Sequence, residues 1–180
     1  MILSPIFIVL GLYFSYIGRF TDITLVLAYI PGNTGEFLRL IFYKTLLKGG
    51  VGRKTQFKFG SYCQYRDISI GSNCSIGSFN AIGLVSIGDD VLTGGNVNFI
   101  SGVNQHGITD RNEKFRKQPG TRTKINIGSD VWIGSNTVIC ANISDRVVVG
   151  AGSVVITDLP SNGVYAGNKA TLIKKLDGHN

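Results

Sequence analysis

The chain has 180 residues, 43% of them hydrophobic, which is the length of one ordinary domain with enough apolar content for a sizeable core. Its formal net charge of +7 suits nucleic acid, an anionic membrane surface or a polyphosphate ligand about equally, but the sequence has no nucleic-acid-binding motif, which excludes that class. The three cysteines form no C-x-x-C or Cys/His cluster, which argues against a disulfide framework or a zinc site and favours a reducing cytoplasm.

The N-terminal part of the chain predicts helices. Residues 2–18 carry no charge, which approaches the roughly 17–25 residues needed to span a bilayer. They lack the basic start of a signal peptide, and Arg19 and Asp22 follow before a second apolar run. We expect a helix that caps a β core. A helix embedded in or lying on the membrane is the alternative that the sequence leaves open.

A further helix is predicted after the turn at residues 31–33. Thr34 can cap it, while Glu36 in its first turn and Lys48 in its last match the helix dipole. We expect its apolar side to pack on the β core, with contact to a membrane or a lipid-linked substrate as the alternative. The residues of that side are Phe37, Leu38, Ile41, Phe42 and Leu46, with Arg39 and Lys44 lying elsewhere.

From residue 59 onward, an aliphatic residue followed by glycine recurs every six positions, with a small or branched residue four places after the aliphatic one. Ile70-Gly71 with Cys74 and Ile133-Gly134 with Thr137 are examples. This period predicts an all-β core in which three short strands form a triangular coil of about eighteen residues and the coils stack as parallel sheets. We therefore predict a helical segment over residues 1–54 and a parallel β-helix over residues 55–180.

Two irregularities interrupt the repeat. Residues 107–124 have no repeat and eight charges, which predicts a loop extruded from the coil, and such loops commonly carry function. A shortfall of about two residues near Ser144 and Asp145 predicts a shortened corner.

His106 is the candidate for acid/base chemistry. The only other histidine, His179, lies at the C-terminal end, whereas His106 ends the segment FISGVNQH at the base of the predicted loop. An imidazole can accept a proton from a hydroxyl or amine near neutral pH and return it to a leaving thiolate. A surface histidine without a catalytic role is the alternative.

The segments GSDVWIGSNTVI and VVVGAGSVVITDLPSNGVYAGNKATLIKKL, together with FISGVNQH, resemble the hexapeptide-repeat acyltransferases, which include galactoside, maltose, serine and xenobiotic acetyltransferases. The resemblance covers about residues 59–175. It implies a left-handed parallel β-helix, acetyl-CoA as co-substrate, no metal, and a homotrimer. A γ-class carbonic anhydrase would share the architecture, but it needs three histidines around its metal.

The resemblance also implies roles for individual residues. His106 aligns with the general base that deprotonates the acceptor for direct attack on the thioester. Ser135 and Ala151 match positions whose backbone groups bind the pantetheine arm, and Trp132 matches a tryptophan beside the active site.

Other positions depart from the family pattern or match it loosely. Lys174 falls where the family places a cation near the nucleotide end of coenzyme A. Ile156 and Thr157 replace a threonine and a lysine, so a phosphate contact is in doubt, and Lys169 is a candidate to supply that charge. Asn80 is a candidate for contact with the acceptor.

The pattern P-G-x-x-G-x-x-L-R-x-x-F-Y-K at residues 31–44 resembles acetyltransferases of surface-polysaccharide synthesis. We therefore expect O-acetylation of a sugar or polysaccharide precursor, in the cytoplasm or peripheral to the inner face of the membrane. N-acetylation of an amino sugar or amino acid, and a non-catalytic scaffold, are the alternatives.

Overall fold

The computed structural model of the chain describes residues 20–176. The apolar run at 2–18 and His179 lie outside these residues. Two α-helices come first, α1 over Phe20–Ala28 and α2 over Gly32–Leu46. Neither of the α-helices within residues 20–176 is long and apolar enough to cross a membrane.

Short strands then follow one another to the end of the described chain. They are β1 Gln56–Phe57, β2 Tyr62–Cys63, β3 Ser69–Ile70, β4 Ser75–Ile76, β5 Ala81–Ile82, β6 Val85–Ile87, β7 Leu92–Thr93, β8 Asn98–Phe99, β9 Ile125–Ile127, β10 Trp132–Ile133, β11 Val138–Ile139, β12 Val147–Val149, β13 Val154–Val155, β14 Gly163–Ala166 and β15 Thr171–Lys175.

These strands form three sheets, and up to β14 each strand lies in a different sheet from the strand before it. Sheet 1 has seven strands in the order β1-β4-β7-β10-β12-β14-β15, sheet 2 has five in the order β13-β11-β8-β5-β2, and sheet 3 has three in the order β3-β6-β9. Apart from β15, which is antiparallel to β14, neighbouring strands are parallel. The predicted parallel β-helix is confirmed.

The coils are defined by the residues that share a position in each sheet. The inward residues of sheets 3, 1 and 2 are Val51, Phe57 and Cys63 in coil 1; Ile70, Ile76 and Ile82 in coil 2; Ile87, Thr93 and Phe99 in coil 3; Ile127, Ile133 and Ile139 in coil 4; and Ile143, Val149 and Val155 in coil 5, with Leu159 and Tyr165 beginning the next.

The hydrophobic core is the interior of this prism. Nearly all of the inward residues are almost fully buried, and so are the residues four places later, such as Cys74, Val97 and Thr137. This arrangement is the one that the six-residue period predicts. Val103, which continues the same pattern after Phe99, is 59% exposed, because the chain has already left the coil there.

Glycine follows the inward residue because neighbouring coils approach closely at the corners. A Cβ atom placed on Gly77 would lie 2.2 Å from the carbonyl oxygen of Gly94 in the next coil. Backbone groups pair directly between coils at this spacing, as in the bond from Gly94 N to the Ile133 carbonyl at 2.8 Å. A side chain at Gly77 would therefore push these two coils apart.

The shortened corner lies between sheets 2 and 3. Ile139 and Ile143 are successive inward residues separated by four positions instead of six, and Val155 and Leu159 repeat this spacing in the next coil. Neighbouring groups in these coils are therefore 16 residues apart. The two missing residues therefore fall just before Ser144, and Ser144 belongs to the following corner, between sheets 3 and 1.

The helices cover the N-terminal end of the prism. Tyr43 and Leu47 of the α2 region belong to the same buried cluster as the coil residues, so α2 packs on the β core. The capping helix expected at residues 2–18 lies outside the described residues. The residue-level division at 54/55 stays a prediction.

The predicted apolar side of α2 was wrong at Phe37 and missed the centre of the buried stripe, although Phe42 of that side does pack against the core cluster. The buried stripe consists of Gly35, Arg39, Tyr43 and, just beyond the helix, Leu47, whereas Phe37 is 54% exposed. Gly35 is buried because a Cβ there would lie 1.8 Å from the Ile30 carbonyl oxygen. Gly35 thus lets α2 approach the turn after α1 closely, which brings Arg39 of the same stripe within reach of the carbonyl groups there.

Arg39 is the unexpected member of that stripe, because a fully buried arginine is rare unless its charge is compensated. Its Nη1 donates to the carbonyls of Leu27 and Ile30 at 2.9 Å and to that of Ala28 at 3.3 Å, and its Nε donates to the Phe57 carbonyl at 3.1 Å. Burial lowers its pKa, an effect that nearby Tyr43 and Glu36 oppose. The guanidinium thus caps the end of α1 and ties both helices to coil 1.

Candidate active site

The extruded loop leaves the prism after Phe99 of sheet 2 and returns at Ile125 of sheet 3. Its two ends are held together by hydrogen bonds from Thr123 N to the Ser101 carbonyl at 2.9 Å and from Thr121 N to the Asn104 carbonyl at 2.7 Å. His106 follows this paired neck and is exposed. The neck presents its imidazole to solvent at the root of the loop.

Gly120 fixes the backbone beside His106. A Cβ atom at Gly120 would lie 2.0 Å from the Gln105 carbonyl oxygen and 2.5 Å from the His106 nitrogen. Contacts this short do not occur for real Cβ atoms, so only glycine permits the returning strand to pass so near. Sequence reasoning missed this residue, because a single glycine in an irregular loop gives no signal of what lies opposite.

Gln118 organises the outer part of the loop. It is only 6% exposed, and its Nε2 donates to the carbonyls of Asp110 and Glu113 at 2.7 and 2.9 Å. Its Oε1 accepts a hydrogen bond from Asp110 N at 3.1 Å. The loop is therefore a fixed structure rather than an open chain, and sequence reasoning also missed this residue.

Ser135 and Ala151 lie at the corner between sheets 1 and 2, which we call corner 1/2. It comprises residues 58–61, 77–80, 94–97, 134–137 and 150–153 in coils 1 to 5. Ser135 lies in coil 4 and Ala151 in coil 5, and the Gly152 nitrogen donates to the Ser135 carbonyl at 2.8 Å. The structure therefore brings these two predicted positions together.

Their backbone N–H groups are available to a ligand. The Gly95 nitrogen, one coil earlier, donates to Ser135 Oγ at 3.2 Å, but Ala151 has no side-chain acceptor to offer in turn. Among residues 20–176, no group accepts a hydrogen bond from the N–H of Ser135 or of Ala151. At the corner between sheets 3 and 1, by contrast, Asp145 Oδ1 accepts from the Ser129 nitrogen at 2.7 Å.

Trp132 lies on the outer surface of sheet 1 beside corner 1/2 and is 58% exposed. It pairs in register with Leu92 and Val148, so these side chains form an apolar stripe across three coils. A cleft of about 130 Å³ borders the stripe and is lined by Asp90, Leu92, Asp130, Val131, Trp132, Arg146, Val148 and Leu176.

Two other predicted residues lie apart from these groups. Lys174 is exposed on β15, opposite Val164 of β14. Asn80 is fully buried inside the prism, where its Nδ2 donates to Thr93 Oγ1 at 2.6 Å and its Oδ1 accepts from the Val97 nitrogen at 2.7 Å. The expected contact between Asn80 and an acceptor has no support, because the amide is satisfied within the core.

The thiols are poorly suited to nucleophilic catalysis. Burial raises the pKa values of Cys63, Cys74 and Cys140, so each thiol is held in its less reactive protonated form at neutral pH. Within residues 20–176, no group of three His, Cys, Asp or Glu side chains is placed to hold a metal ion.

The six-residue repeat and the three parallel sheets place the fold of this chain among the hexapeptide-repeat proteins. Comparisons with known proteins agree. Galactoside O-acetyltransferase of Escherichia coli K12 is 37% identical over 121 residues, which are 61% of this chain and 57% of that protein. No family model matches the chain.

Solved structures with the same fold are also similar to this chain. A maltose O-acetyltransferase from Clostridium difficile 630 superposes with a TM-score of 0.68 at 25% identity, covering 88% of this chain and 85% of that one. A hexapeptide-repeat acetyltransferase from Vibrio cholerae, solved with acetyl coenzyme A, has a TM-score of 0.67 at 24% identity, covering 88% and 86%.

The resemblance to hexapeptide-repeat acyltransferases is therefore confirmed, and so is the left-handed β-helix. The chain spans about half the length of the first curated relatives, 57% of one and 48% of another.

Proposed function

We propose that the protein is an acetyl-CoA-dependent O-acetyltransferase that acts on a sugar or polysaccharide precursor. The observation that carries the proposal is His106 at the root of an ordered loop in a chain that resembles O-acetyltransferases. Exposure leaves the imidazole accessible to an acceptor. Free N–H groups at Ser135 and Ala151 provide a backbone site for the amide carbonyls of a pantetheine arm, which fits the coenzyme.

In the proposed mechanism, His106 accepts the proton of an acceptor hydroxyl as its oxygen attacks, and then returns that proton to the departing thiolate. Acetyl-CoA supplies an acetyl group activated as a thioester. Direct transfer fits the cysteines, whose raised pKa values disfavour an acyl-enzyme. Trp132 would cover the pantetheine arm, and Lys174 would lie toward the nucleotide phosphates, with Lys169 as a second cation.

The test is thiol release from acetyl-CoA in the presence of a panel of sugars, oligosaccharides, nucleotide sugars and amino sugars. We expect release with acceptors that offer a hydroxyl, and an ester in the product by mass spectrometry. An amide product on an amino sugar would replace O-acetylation by N-acetylation. If acetyl-CoA does not bind by calorimetry, the scaffold alternative replaces the enzyme.

The loop neck leads to a prediction on catalysis. Gly120→Ala should reduce kcat by roughly 100-fold, because the added Cβ displaces the backbone of His106 and misplacement by about 1 Å has effects of this size. The melting temperature should barely change, since the loop lies outside the coils. Steady-state kinetics and thermal unfolding measure both quantities.

Gly32→Asn is the control for that variant. It adds a side chain in open space at a φ of +69° that asparagine tolerates, so its kcat should equal that of the wild type. Unchanged turnover in Gly120→Ala would show that the neck does not position His106.

We propose further that the protein works as a homotrimer. His106 emerges from the corner between sheets 2 and 3, whereas Ser135 and Ala151 lie at corner 1/2, and assembly would let one chain complete the site of its neighbour. The exposed stripe of Leu92, Trp132 and Val148 suits such an interface. Sedimentation equilibrium should give three times the chain mass; an active monomer at nanomolar concentration would contradict it.

We place the enzyme in the cytoplasm, where acetyl-CoA is available and free cysteines stay reduced. Peripheral attachment to the inner face of the membrane is the finer proposal. Val26 and Phe37 expose 61% and 54% of their surface on the helices that follow the uncharged run at 2–18. Flotation should show binding to anionic vesicles, with less for Phe37→Ser. Protein that stays at the bottom with anionic and neutral vesicles would leave the helices a structural role only.

A further inference from the structure

Three aromatic rings form a row at the N-terminal end of corner 1/2. Tyr29, just after α1, meets Phe59 of coil 1 edge-on with ring centroids 6.0 Å apart, and Phe59 meets Phe79 of coil 2 in the same manner at 5.5 Å. Tyr29 is 65% exposed and Phe79 is 52% exposed. We call these residues the aromatic ladder. It runs parallel to the axis of the β-helix, along the corner that carries Ser135 and Ala151.

Phe79 occupies a backbone conformation that its residue type disfavours. Its φ is +59°, in the left-handed region, where a bulky side chain is an outlier. The equivalent residues of the other coils at this corner are Gly60, Asn96, Asn136 and Gly152, all types that tolerate the turn. Asparagine or glycine would therefore form the same turn with less strain. Strain of this kind at an exposed side chain points to a function for the ring.

The ring of Phe79 is also held in place. A Cβ atom on Gly60 would lie 2.3 Å from Phe79 Cδ1, so the ring rests directly on the backbone of coil 1. The Gly60 nitrogen donates to the Ala28 carbonyl at 2.9 Å, which fixes this backbone to the end of α1 and next to Tyr29. The ladder is a rigid platform, and a ligand that binds it does so without ordering loose side chains.

The surroundings of the ladder are polar and almost uncharged. Lys58 is the charged residue of corner 1/2, and its ammonium lies 3.1 Å from the Glu36 carboxylate. Beyond Phe79 the corner continues with Ser78, Gly95 and the exposed Asn96, whose Nδ2 donates to Asn136 Oδ1 at 2.9 Å. Aromatic faces beside amides and hydroxyls, without a free cation, suit a neutral carbohydrate better than an anionic lipid or a nucleic acid.

We propose that the aromatic ladder binds the acceptor as an extended saccharide, with sugar rings packed against the exposed Tyr29 and Phe79 and with Phe59, edge-on to both, between them. The spacing of the aromatic rings is close to the length of one sugar residue in an extended chain. Phe79 lies two coils from Ser135, roughly 10 Å at the strand spacing of parallel sheets. A saccharide along the ladder thus directs one end toward the thioester. This inference rests on the proposed function, and it selects an oligosaccharide or polymer over a free monosaccharide as the acceptor.

The test uses full-length protein on an array of bacterial surface polysaccharides and defined oligosaccharides. We expect binding to at least one glycan of three or more sugar residues, and weaker binding to its disaccharide. Phe79→Asn should reduce that affinity roughly tenfold or more, as expected for loss of an aromatic anchor. Its melting temperature should stay the same or rise, because asparagine suits the turn. Tyr29→Phe, which keeps the ring, should retain affinity, and so should Val26→Ser, which removes an exposed apolar residue from α1.

Each other outcome overturns the proposal. Absence of any bound glycan, or equal affinity of Phe79→Asn, removes the saccharide platform. A lower melting temperature in Phe79→Asn makes the ring a structural element. A change in sedimentation makes the ladder a contact between copies of the chain, and loss of vesicle flotation makes it a membrane contact.

Acetyl transfer to a monosaccharide acceptor separates this inference from the proposed function. If the wild type transfers acetyl to the monosaccharide and glycans do not bind, the saccharide role of the ladder is wrong and the proposed enzymatic function is retained. If glycans bind through Phe79 and no acceptor is acetylated, the proposed enzymatic function is wrong and the saccharide role of the ladder is retained.

Discussion

Replacement of His106 by alanine should reduce kcat for acetyl transfer by roughly 10²–10⁴-fold, the usual contribution of one positioned general base. The affinity for acetyl-CoA should barely change, because the proposed cofactor contacts come from the backbone at Ser135 and Ala151 and from tail lysines. His106 would act on the acceptor proton in the transition state alone, so turnover and cofactor binding should separate. Steady-state kinetics on a verified acceptor and calorimetry with acetyl-CoA measure the two effects.

His179→Ala is the matched control, since it removes the only other histidine of the sequence and has no role in the proposed mechanism. It should be silent in both measurements. Wild-type turnover in His106→Ala would remove the general base and with it the mechanism. Equal losses of turnover and of acetyl-CoA affinity would instead place His106 at the cofactor.

The coil architecture was predictable because it repeats. Each six-residue unit independently predicts one inward aliphatic residue. A wrong prediction at a single position, such as Val103, therefore does not change the predicted fold. The positions of Ser135 and Ala151 on one corner follow from the same arithmetic. Strand pairing 16 residues apart converts their sequence spacing directly into neighbouring coils.

The loop neck and the interior polar groups were not predictable in this way. Gly120 matters because of the backbone that happens to lie opposite, and Asn80 is a core residue because Thr93 and the Val97 nitrogen satisfy its amide. Both facts depend on contacts between segments that no period relates. His106 could be selected because the sequence has only one other histidine and because the segment FISGVNQH resembles the family.

The predicted orientation of α2 was wrong at Phe37 and Arg39 for an electrostatic reason. Hydrophobicity places Phe37 inside and Arg39 outside, but the carbonyl groups at the end of α1 need donors that water cannot supply once the helix covers the core. One guanidinium meets several of these carbonyls at once, which no apolar residue can do. The requirement to satisfy backbone groups therefore outweighed the burial of a phenylalanine ring.

Arg39→Met should for this reason lower the free energy of unfolding by roughly 3–5 kcal/mol, the range expected when a buried hydrogen-bonded network is broken. Methionine fills the space and removes the desolvation cost of the charge, but the carbonyls of Ile30 and Phe57 lose their guanidinium donor. The Leu27 carbonyl keeps only the longer bond from the Ile30 nitrogen, at 3.3 Å. The free energy of unfolding of Arg39→Lys should lie between those of the wild type and Arg39→Met, because an ammonium cannot reproduce the planar arrangement of donors in a guanidinium. Urea unfolding followed by circular dichroism gives the values.

Lys44→Met is the control on the same helix. Its side chain is exposed, so the change should stay within about 0.5 kcal/mol. The Nη2 nitrogen of Arg39, which carries two N–H groups, has no acceptor among residues 20–176. These unsatisfied donors argue for the opposite result, a stability that does not fall. If Arg39→Met is as stable as the wild type, the cost of burying the charge equals what the carbonyl bonds return, and packing alone holds the helical cap on coil 1.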